Sequence, residues 1–191
     1  MTDVTDVGTI AGRVLDGAER AFARFGVRAC TVDQIAREAG VSRVSVYRHV
    51  GTKDEVYRQV VLRNTESYFG ALEEDFAGAA SLVDVVEAVF TRAQHSFRQR
   101  DLYQTLLRLE PETVMRMMTV DAGGFYELGI PFLAPHIAPY LGPGADAEAA
   151  AEWIIRVTIS VVGTAGYLVD PYDPASRRAL AERTVSGIPA P

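Results

Sequence analysis

Apolar residues recur every three or four positions along most of the chain, whereas the strict alternation that is typical of strands is scarce. Between Ile10 and Phe25 the apolar side chains share one face and the charged ones occupy the others, which predicts an amphipathic helix. The same periodicity predicts longer helices over 53–76, 81–99 and 174–186, with short ones between them. We therefore expect an all-α fold.

Two later segments are less regular. Pro131, Pro135 and Pro139 stand four positions apart. Because each proline removes an amide donor and clashes with the preceding turn, we expect kinks or several short turns there. The run from Asp146 to about Leu168 predicts the most apolar helix of the chain.

Residues 31–53 contain the most specific pattern in the sequence. Thr31 can cap a two-turn helix that ends at Gly40, and Ser42 can cap a second short helix that ends near Val50. Two short helices joined by a tight turn form a helix-turn-helix, whose second helix enters the major groove of DNA. The alternative is an ordinary helical hairpin with solvated arginines, and we favour DNA binding.

The second of these helices carries side chains that suit a major groove. Arginine donors, a hydroxyl, a small apolar group and flat rings all have partners on base edges. The free amides at the start of the helix suit a phosphate. We therefore expect DNA contacts from Ser42, Arg43, Val44, Ser45, Tyr47, Arg48 and His49.

This segment resembles the DNA-binding domain of the tetracycline-repressor (TetR) family of bacterial transcription regulators. The matching residues are Thr31, Ile35-Ala36, Gly40-Val41-Ser42, Tyr47, His49 and Lys53-Asp54-Glu55. Val50 and Val56 depart from the family pattern, which has larger apolar residues at these positions. The resemblance adds Thr31 and Lys53 to the expected DNA contacts. Lys53 is the only lysine of the chain, and its compact ammonium suits a phosphate oxygen.

The charge distribution makes DNA binding compatible with an acidic protein. The whole chain has a net charge of −6, yet residues 1–63 carry ten basic and eight acidic side chains. The first ten residues lack the order of charge and apolar run that a signal peptide requires, and the longest apolar stretch, 157–169, is too short to span a bilayer. We expect a cytoplasmic protein with no membrane partner.

No combination of residues indicates an enzyme, a metal site or a cofactor. His95 and His136 lack a second ligand at helical spacing, and Cys30 is the only cysteine. We interpret Cys30 as an apolar filler. The glycines of 142–147 follow no strand, so this segment is a loop and not a nucleotide-binding turn.

The resemblance implies a division of labour along the chain. Residues 1–52 form a three-helix DNA-binding domain, and residues 53–191 form a helical body that binds an effector and a second subunit. An effector lodged between the Lys53 helix and the segment 102–140 would shift that helix. The shift would change the spacing of two recognition helices, which must lie about 34–36 Å apart to enter successive major grooves.

Methionine and aromatic residues in the middle of the body favour an apolar effector, because such side chains form adaptable cavity walls. The same residues can instead be plain core. The candidate pocket residues are Phe69, Phe90, His95, Tyr103, Arg108, Met118, Phe125 and Trp153. His95 or Arg108 would be the polar anchor.

The apolar run 154–162 leaves almost no polar face, which predicts a two-fold homodimer formed by the helices over about 149–168 and 174–186. The candidate interface residues are Ile155, Ile159, Val162, Gly163 and Gly166. We interpret the chain as a ligand-responsive repressor that a small apolar effector releases from a palindromic operator. The alternatives are an all-α small-molecule-binding enzyme or carrier that does not bind DNA, and a constitutive DNA binder with a filled core.

Overall fold

The computed structural model describes residues 9–99, 101–164 and 166–188, and every regular element within them is helical, which confirms the predicted all-α class. The α-helices of this part of the chain are α1 (Ile10–Phe25), α2 (Val32–Ala39), α3 (Arg43–His49), α4 (Lys53–Phe76), α5 (Leu82–Gln99), α6 (Asp101–Leu109), α7 (Pro111–Met118), α8 (Gly123–Ile137), α9 (Ala147–Gly163) and α10 (Pro174–Ser186). None of them is long and apolar enough to cross a membrane.

Contacts between residues divide the chain into two units. Of the described residues, the first unit comprises 9–67, 99 and 101–111, and the second comprises 68–98, 112–164 and 166–188. α6 therefore belongs to the same unit as α1 to α3. The predicted functional boundary at residue 52 concerns which residues bind DNA, and it stays a prediction.

In the first unit, local signals set the helix ends. The Thr9 hydroxyl accepts a hydrogen bond from the Gly12 amide and starts α1. Thr31 and Gln34 form a reciprocal capping box at the start of α2. Gly40 ends α2 in the left-handed conformation, at φ 64°, where glycine has no Cβ to clash. These ends agree with the sequence-based prediction.

The core of the first unit lies beneath the helix-turn-helix. Phe22, Ile35, Val46, Val56 and Val60 are fully buried. Phe22 also meets the edge of the Tyr57 ring, with ring centroids 5.8 Å apart. Burial of these side chains sets the angle at which α2 and α3 leave the core.

The second unit has its own core, to which α4, α5, α8, α9 and α10 all contribute. The buried residues of this core are Leu72, Leu82, Val85, Val86, Val89, Phe90, Leu133, Ala134, Ile137, Ala150, Ala151, Ile154, Val161 and Ala181. α8 and α9 are the most closely packed pair of helices in this unit.

Of the two alternatives predicted for the proline segment, several short turns are wrong, and kinks within a helix stay a prediction. α8 continues through Pro131 and Pro135 as one α-helix, and a single 3-10 turn, Ala138–Tyr140, follows it. Leu133 and Ile137 are buried in the core of the second unit. Packing of this face against α9 outweighs the loss of two amide donors.

The prediction that the apolar helix reaches about Leu168 is also wrong, because α9 ends at Gly163. Thr164 is extended, and its amide closes the last turn on the Ser160 carbonyl. Gly166 therefore lies in the loop after the helix. A Cβ on Gly166 would lie only 2.0 Å from the Val169 carbonyl oxygen, so the loop closes tightly on itself there.

Candidate DNA-binding surface and effector site

The inner side of α3 anchors it in the first unit. Val46 is fully buried, and Val50 is 9% exposed just after the helix. At the other end, the Ser42 hydroxyl accepts a hydrogen bond of 3.1 Å from the Ser45 amide. Both ends of this two-turn helix are thereby held, and its outer face is free to meet a partner.

The outer face of α3 presents most of the predicted DNA contacts. Val44 is 64% exposed and Tyr47 is 44% exposed. Arg43, Arg48 and His49 are also exposed, while Ser45 is half-buried. Most of the Val44 side chain is thus open to solvent, and a thymine methyl is one partner for such an apolar group.

Arg43 is held in position by its neighbours. Its guanidinium donates a hydrogen bond of 3.4 Å to the Tyr47 hydroxyl and lies 5.6 Å from the centre of that ring. It also pairs with Asp33 on α2 at 3.4 Å. The hydrogen bond to Tyr47, followed by the charge of Asp33, raises the pKa of Arg43 above its usual value, so this side chain stays cationic.

The hydroxyls of Thr31 and Ser42 are already used within the protein. Thr31 exchanges hydrogen bonds with Gln34, and the two hydroxyls of Ser42 and Ser45 lie 2.8 Å apart. Both residues are exposed at a helix start. Their predicted DNA contacts stay predictions, and capping is a role that the structure shows.

Lys53 also has a role inside the protein. Its ammonium nitrogen donates to the carbonyl oxygens of Val27 and Arg28, each at 3.0 Å. An ammonium has three donors, so one is left for the phosphate that the sequence predicts. The half-buried side chain thus ties the start of α4 to the loop between α1 and α2.

The same loop holds Cys30, which is 2% exposed. Burial raises the pKa of this thiol, and the nearby charge of Lys53 opposes the rise only in part. A protonated, buried thiol is a poor nucleophile, in agreement with the interpretation of Cys30 as a filler.

Sequence reasoning missed Glu110, which lies at the end of α6. This residue is 5% exposed, and its Oε1 accepts a hydrogen bond of 2.8 Å from the Arg28 amide. Burial, followed by the charge of Glu110, raises the pKa of Tyr57. Nothing local in the sequence identifies Glu110, because its partner lies 82 positions away.

Six of the predicted effector residues lie in the second unit, and His95 is one of them. Phe90 is fully buried in its core, and Met118 is 9% exposed. The rings of Phe69 and Phe132 pack 4.5 Å apart, and Phe125 is half-buried. Trp153 is 38% exposed, and its indole N–H donates to the Thr184 carbonyl at 3.0 Å.

The predicted polar anchors lie on two different grooves. His95 is exposed beside a polar groove of about 420 Å³ that Asp75, Asp84, Glu87, Ala88, Thr91 and Arg92 also line. Arg108 belongs to the first unit, where it lines a groove of about 870 Å³ between α1 and α6. Tyr103 lies in the first unit as well and is half-buried. The eight effector candidates are therefore divided between the two units.

The predicted dimer residues also differ in their surroundings. Ile155, Ile159 and Val162 are half-buried on α9. Gly163 is the last residue of α9, and a Cβ there would lie 3.0 Å from the Met118 methyl group of the same chain. Gly166 lies beyond the end of α9, and its place in the dimer interface stays a prediction.

Comparison with known proteins gives matches in sequence and in fold. The model of bacterial regulatory proteins of the TetR family matches residues 14–60. Two Pseudomonas putida proteins are 34% identical in a match of 102 residues that covers 49% of this chain. The match spans 46% of the HTH-type transcriptional regulator SrpR. It spans 73% of the second protein, TtgW, which is described as an uncharacterized HTH-type transcriptional regulator.

A solved structure shows the same fold over nearly the whole chain. The transcriptional regulator FadR from Bacillus subtilis, in complex with stearoyl-CoA, matches 93% of this chain and 98% of its own, with a TM-score of 0.65 and 19% identity. The helix order therefore has a close counterpart beyond the helix-turn-helix.

Proposed function

The chain belongs to the TetR family of bacterial regulatory proteins, and we propose that it is a homodimeric transcriptional repressor that binds a palindromic operator in the cytoplasm. A small apolar effector releases it from that operator. Residues 1–52 supply the DNA contacts, and residues 53–191 bind the effector and the second subunit.

The observation on which this proposal rests is the outer face of α3. Arg43, Val44, Tyr47, Arg48 and His49 are all exposed there, although Val44 and Tyr47 are side chains that usually gain from burial. An arginine and a small apolar group on one short helix match guanine and the thymine methyl group of base edges. The groups therefore support sequence-specific recognition in a major groove.

The proposal is tested by selecting duplexes from a random-sequence library with the wild-type protein. We expect one palindromic sequence to be enriched. Arg43→Ala should weaken binding to that duplex by about 1–3 kcal/mol, the value for an arginine that donates two hydrogen bonds to one guanine. Binding to random DNA should weaken much less.

Arg116→Ala is the matched control, because Arg116 is an exposed arginine of the second unit that pairs with Asp121. This variant loses the same charge far from α3 in the sequence. No enrichment by the wild type, or equal losses in the two variants, would contradict the proposal.

An apolar effector is supported by the half-buried aromatic side chains of the second unit. Phe69 and Phe76 each pack against Phe132, and all three side chains stay partly exposed. The FadR protein with a similar fold was solved with stearoyl-CoA, a ligand with a long apolar chain. A ligand that binds the folded protein must raise the melting temperature of the protein. Linkage is reciprocal, so if the duplex weakens the binding of the ligand, the ligand weakens the binding of the duplex by the same factor.

A panel of acyl, aromatic and strongly charged metabolites tests the effector proposal. We expect apolar members to raise the melting temperature and release the selected duplex together. The apolar assignment is overturned if only charged metabolites give both effects.

A further inference from the structure

The loop between α1 and α2 is held by two charged side chains that act on the same residue. Glu110 accepts a hydrogen bond from the Arg28 amide at 2.8 Å. Lys53 donates to the Arg28 carbonyl oxygen at 3.0 Å, and to that of Val27 at the same distance. Both polar groups of the Arg28 backbone are therefore bound by side chains and not by a helix or sheet.

The Glu110 carboxylate lies so close to this loop that only glycine fits beside it. Gly26 has a φ of 78°, and a Cβ built there would lie 2.5 Å from Glu110 Oε1. The carboxylate is almost fully buried. A buried charge with short contacts to the backbone fixes the local conformation, because any displacement leaves the charge without its partner.

The loop leads directly into the DNA-binding helices. Thr31, the N-cap of α2, lies three residues after Arg28. A displacement of the Arg28 backbone would therefore also displace the capping box of α2, because only two residues separate Arg28 from Thr31.

Lys53 begins a helix that continues into the second unit, and Glu110 lies two residues before that unit resumes at Glu112. α4 begins at Lys53 and continues to Phe76, which is part of the second unit. Glu110 immediately precedes Pro111, after which the chain enters the second unit with α7. The side chains that bind the Arg28 backbone thus come from two of the three stretches of chain that cross between the units.

We propose that Glu110 is a positioning residue for DNA binding, which holds the Arg28 amide and so sets the placement of α2 and α3 for base recognition. This inference rests on the proposed function. It assigns a role in recognition to a residue that is far from the helix-turn-helix in sequence and does not touch DNA.

The test compares Glu110→Ala with Thr105→Val, a matched control on the same helix. The Thr105 hydroxyl donates to the Ala23 carbonyl, so its loss removes another buried hydrogen bond between α6 and α1 but leaves Arg28 bound. Affinity is measured for the duplex that wild type selects and for random-sequence DNA, at a temperature where circular dichroism shows each variant folded. Hydrogen exchange of the Arg28 amide is measured in parallel.

Glu110→Ala should weaken binding to the selected duplex by about tenfold, as expected when one hydrogen bond to a charged group is lost. Binding to random DNA should change little, because phosphate attraction does not depend on the placement of base-reading side chains. The Arg28 amide should exchange faster. Glu110→Gln, which keeps an acceptor oxygen, should restore most of the affinity, and Thr105→Val should leave duplex selectivity and Arg28 exchange near wild type.

Should Glu110→Ala fail to fold, Glu110→Asp carries the same expectation, because its carboxylate is one methylene too short to reach the Arg28 amide. Equal loss of selectivity in the Thr105 and Glu110 variants would overturn the inference and leave the proposed function standing. A wild-type protein that selects no duplex would overturn both.

Discussion

The crossing of α1 and α2 depends on Gly17, and replacing this glycine by alanine should destabilise the first unit. A Cβ on Gly17 would lie 2.5 Å from the Ala39 amide nitrogen and 2.6 Å from the Ala39 Cα. Carbon atoms in ordinary contact are separated by about 3.5–4.0 Å. The two helices would have to move apart by about 1 Å, and the angle at which α2 presents the helix-turn-helix would change with them.

The magnitude follows from two opposing effects. Alanine in a helix interior is more stable than glycine by about 1 kcal/mol. Overpacking a core costs about 1–3 kcal/mol, and the upper end applies here because the contacts are with main-chain atoms, which no side-chain rotation can relieve. We therefore expect Gly17→Ala to lower the free energy of unfolding by about 2 kcal/mol.

Gly70→Ala is the matched control. Gly70 lies inside α4, and nothing lies within 4 Å of a Cβ built there, so this variant should gain up to about 1 kcal/mol. Subtracting the two variants isolates the overpacking energy, about 3 kcal/mol. Urea unfolding followed by far-UV circular dichroism at one protein concentration measures both. A Gly17→Ala protein as stable as the Gly70→Ala protein would refute the overpacking of the α1–α2 crossing.

Three further predictions concern a helix cap, an ion pair and the dimer. Thr31→Ala removes the α2 capping box and should lower the free energy of unfolding by about 1 kcal/mol in urea titrations, whereas Thr31→Ser should not. Hydrogen bonds from Arg178 and Ser81 lower the pKa of Asp84 from 3.8 to about 2, so its stabilising effect is complete above pH 3.8 and disappears as the pH falls towards 2. Wild type should therefore lose more stability than Asp84→Asn over that interval in acid titrations. On α9, Ile159→Glu should give monomers in sedimentation and abolish duplex binding. Ser160→Glu, a control at the neighbouring exposed position, should stay dimeric. A wild-type protein that sediments as a monomer would contradict this prediction.

The sequence predicts the helix-turn-helix well because its determinants are local. Thr31, Gln34 and Gly40 act within a few residues of the helix ends that they set, so their chemistry is visible without the fold. The exposed face of α3 follows in turn from the burial of Val46, one position of a short amphipathic pattern. The family resemblance rests on these same residues.

The sequence does not reveal that one helix continues through the proline segment, nor where α9 ends, because tertiary packing and loop geometry decide both. The prolines show only that a helix is locally unfavourable in this segment. The burial of Leu133 and Ile137 stabilises the helix, and this burial depends on packing against α9, which the local sequence does not show. An apolar run indicates that a segment is buried or forms an interface, but it does not indicate where the helix ends. The chain turns into a tight loop after Gly163, although apolar residues continue in the sequence beyond the end of the helix.

The position of α6 shows a different limit of sequence analysis. Its apolar positions, Leu102 and Leu106, predict a buried face and do not say which helix covers it. Two hydrogen bonds show that α6 lies beside α1 and the loop that follows it, one from Thr105 to Ala23 and one from Arg28 to Glu110. Each joins residues 82 positions apart in the sequence. Because α6 belongs to the first unit, a residue that lies after position 52 in the sequence can hold the loop that leads into α2. Sequence order alone therefore does not identify the residues that position the helix-turn-helix.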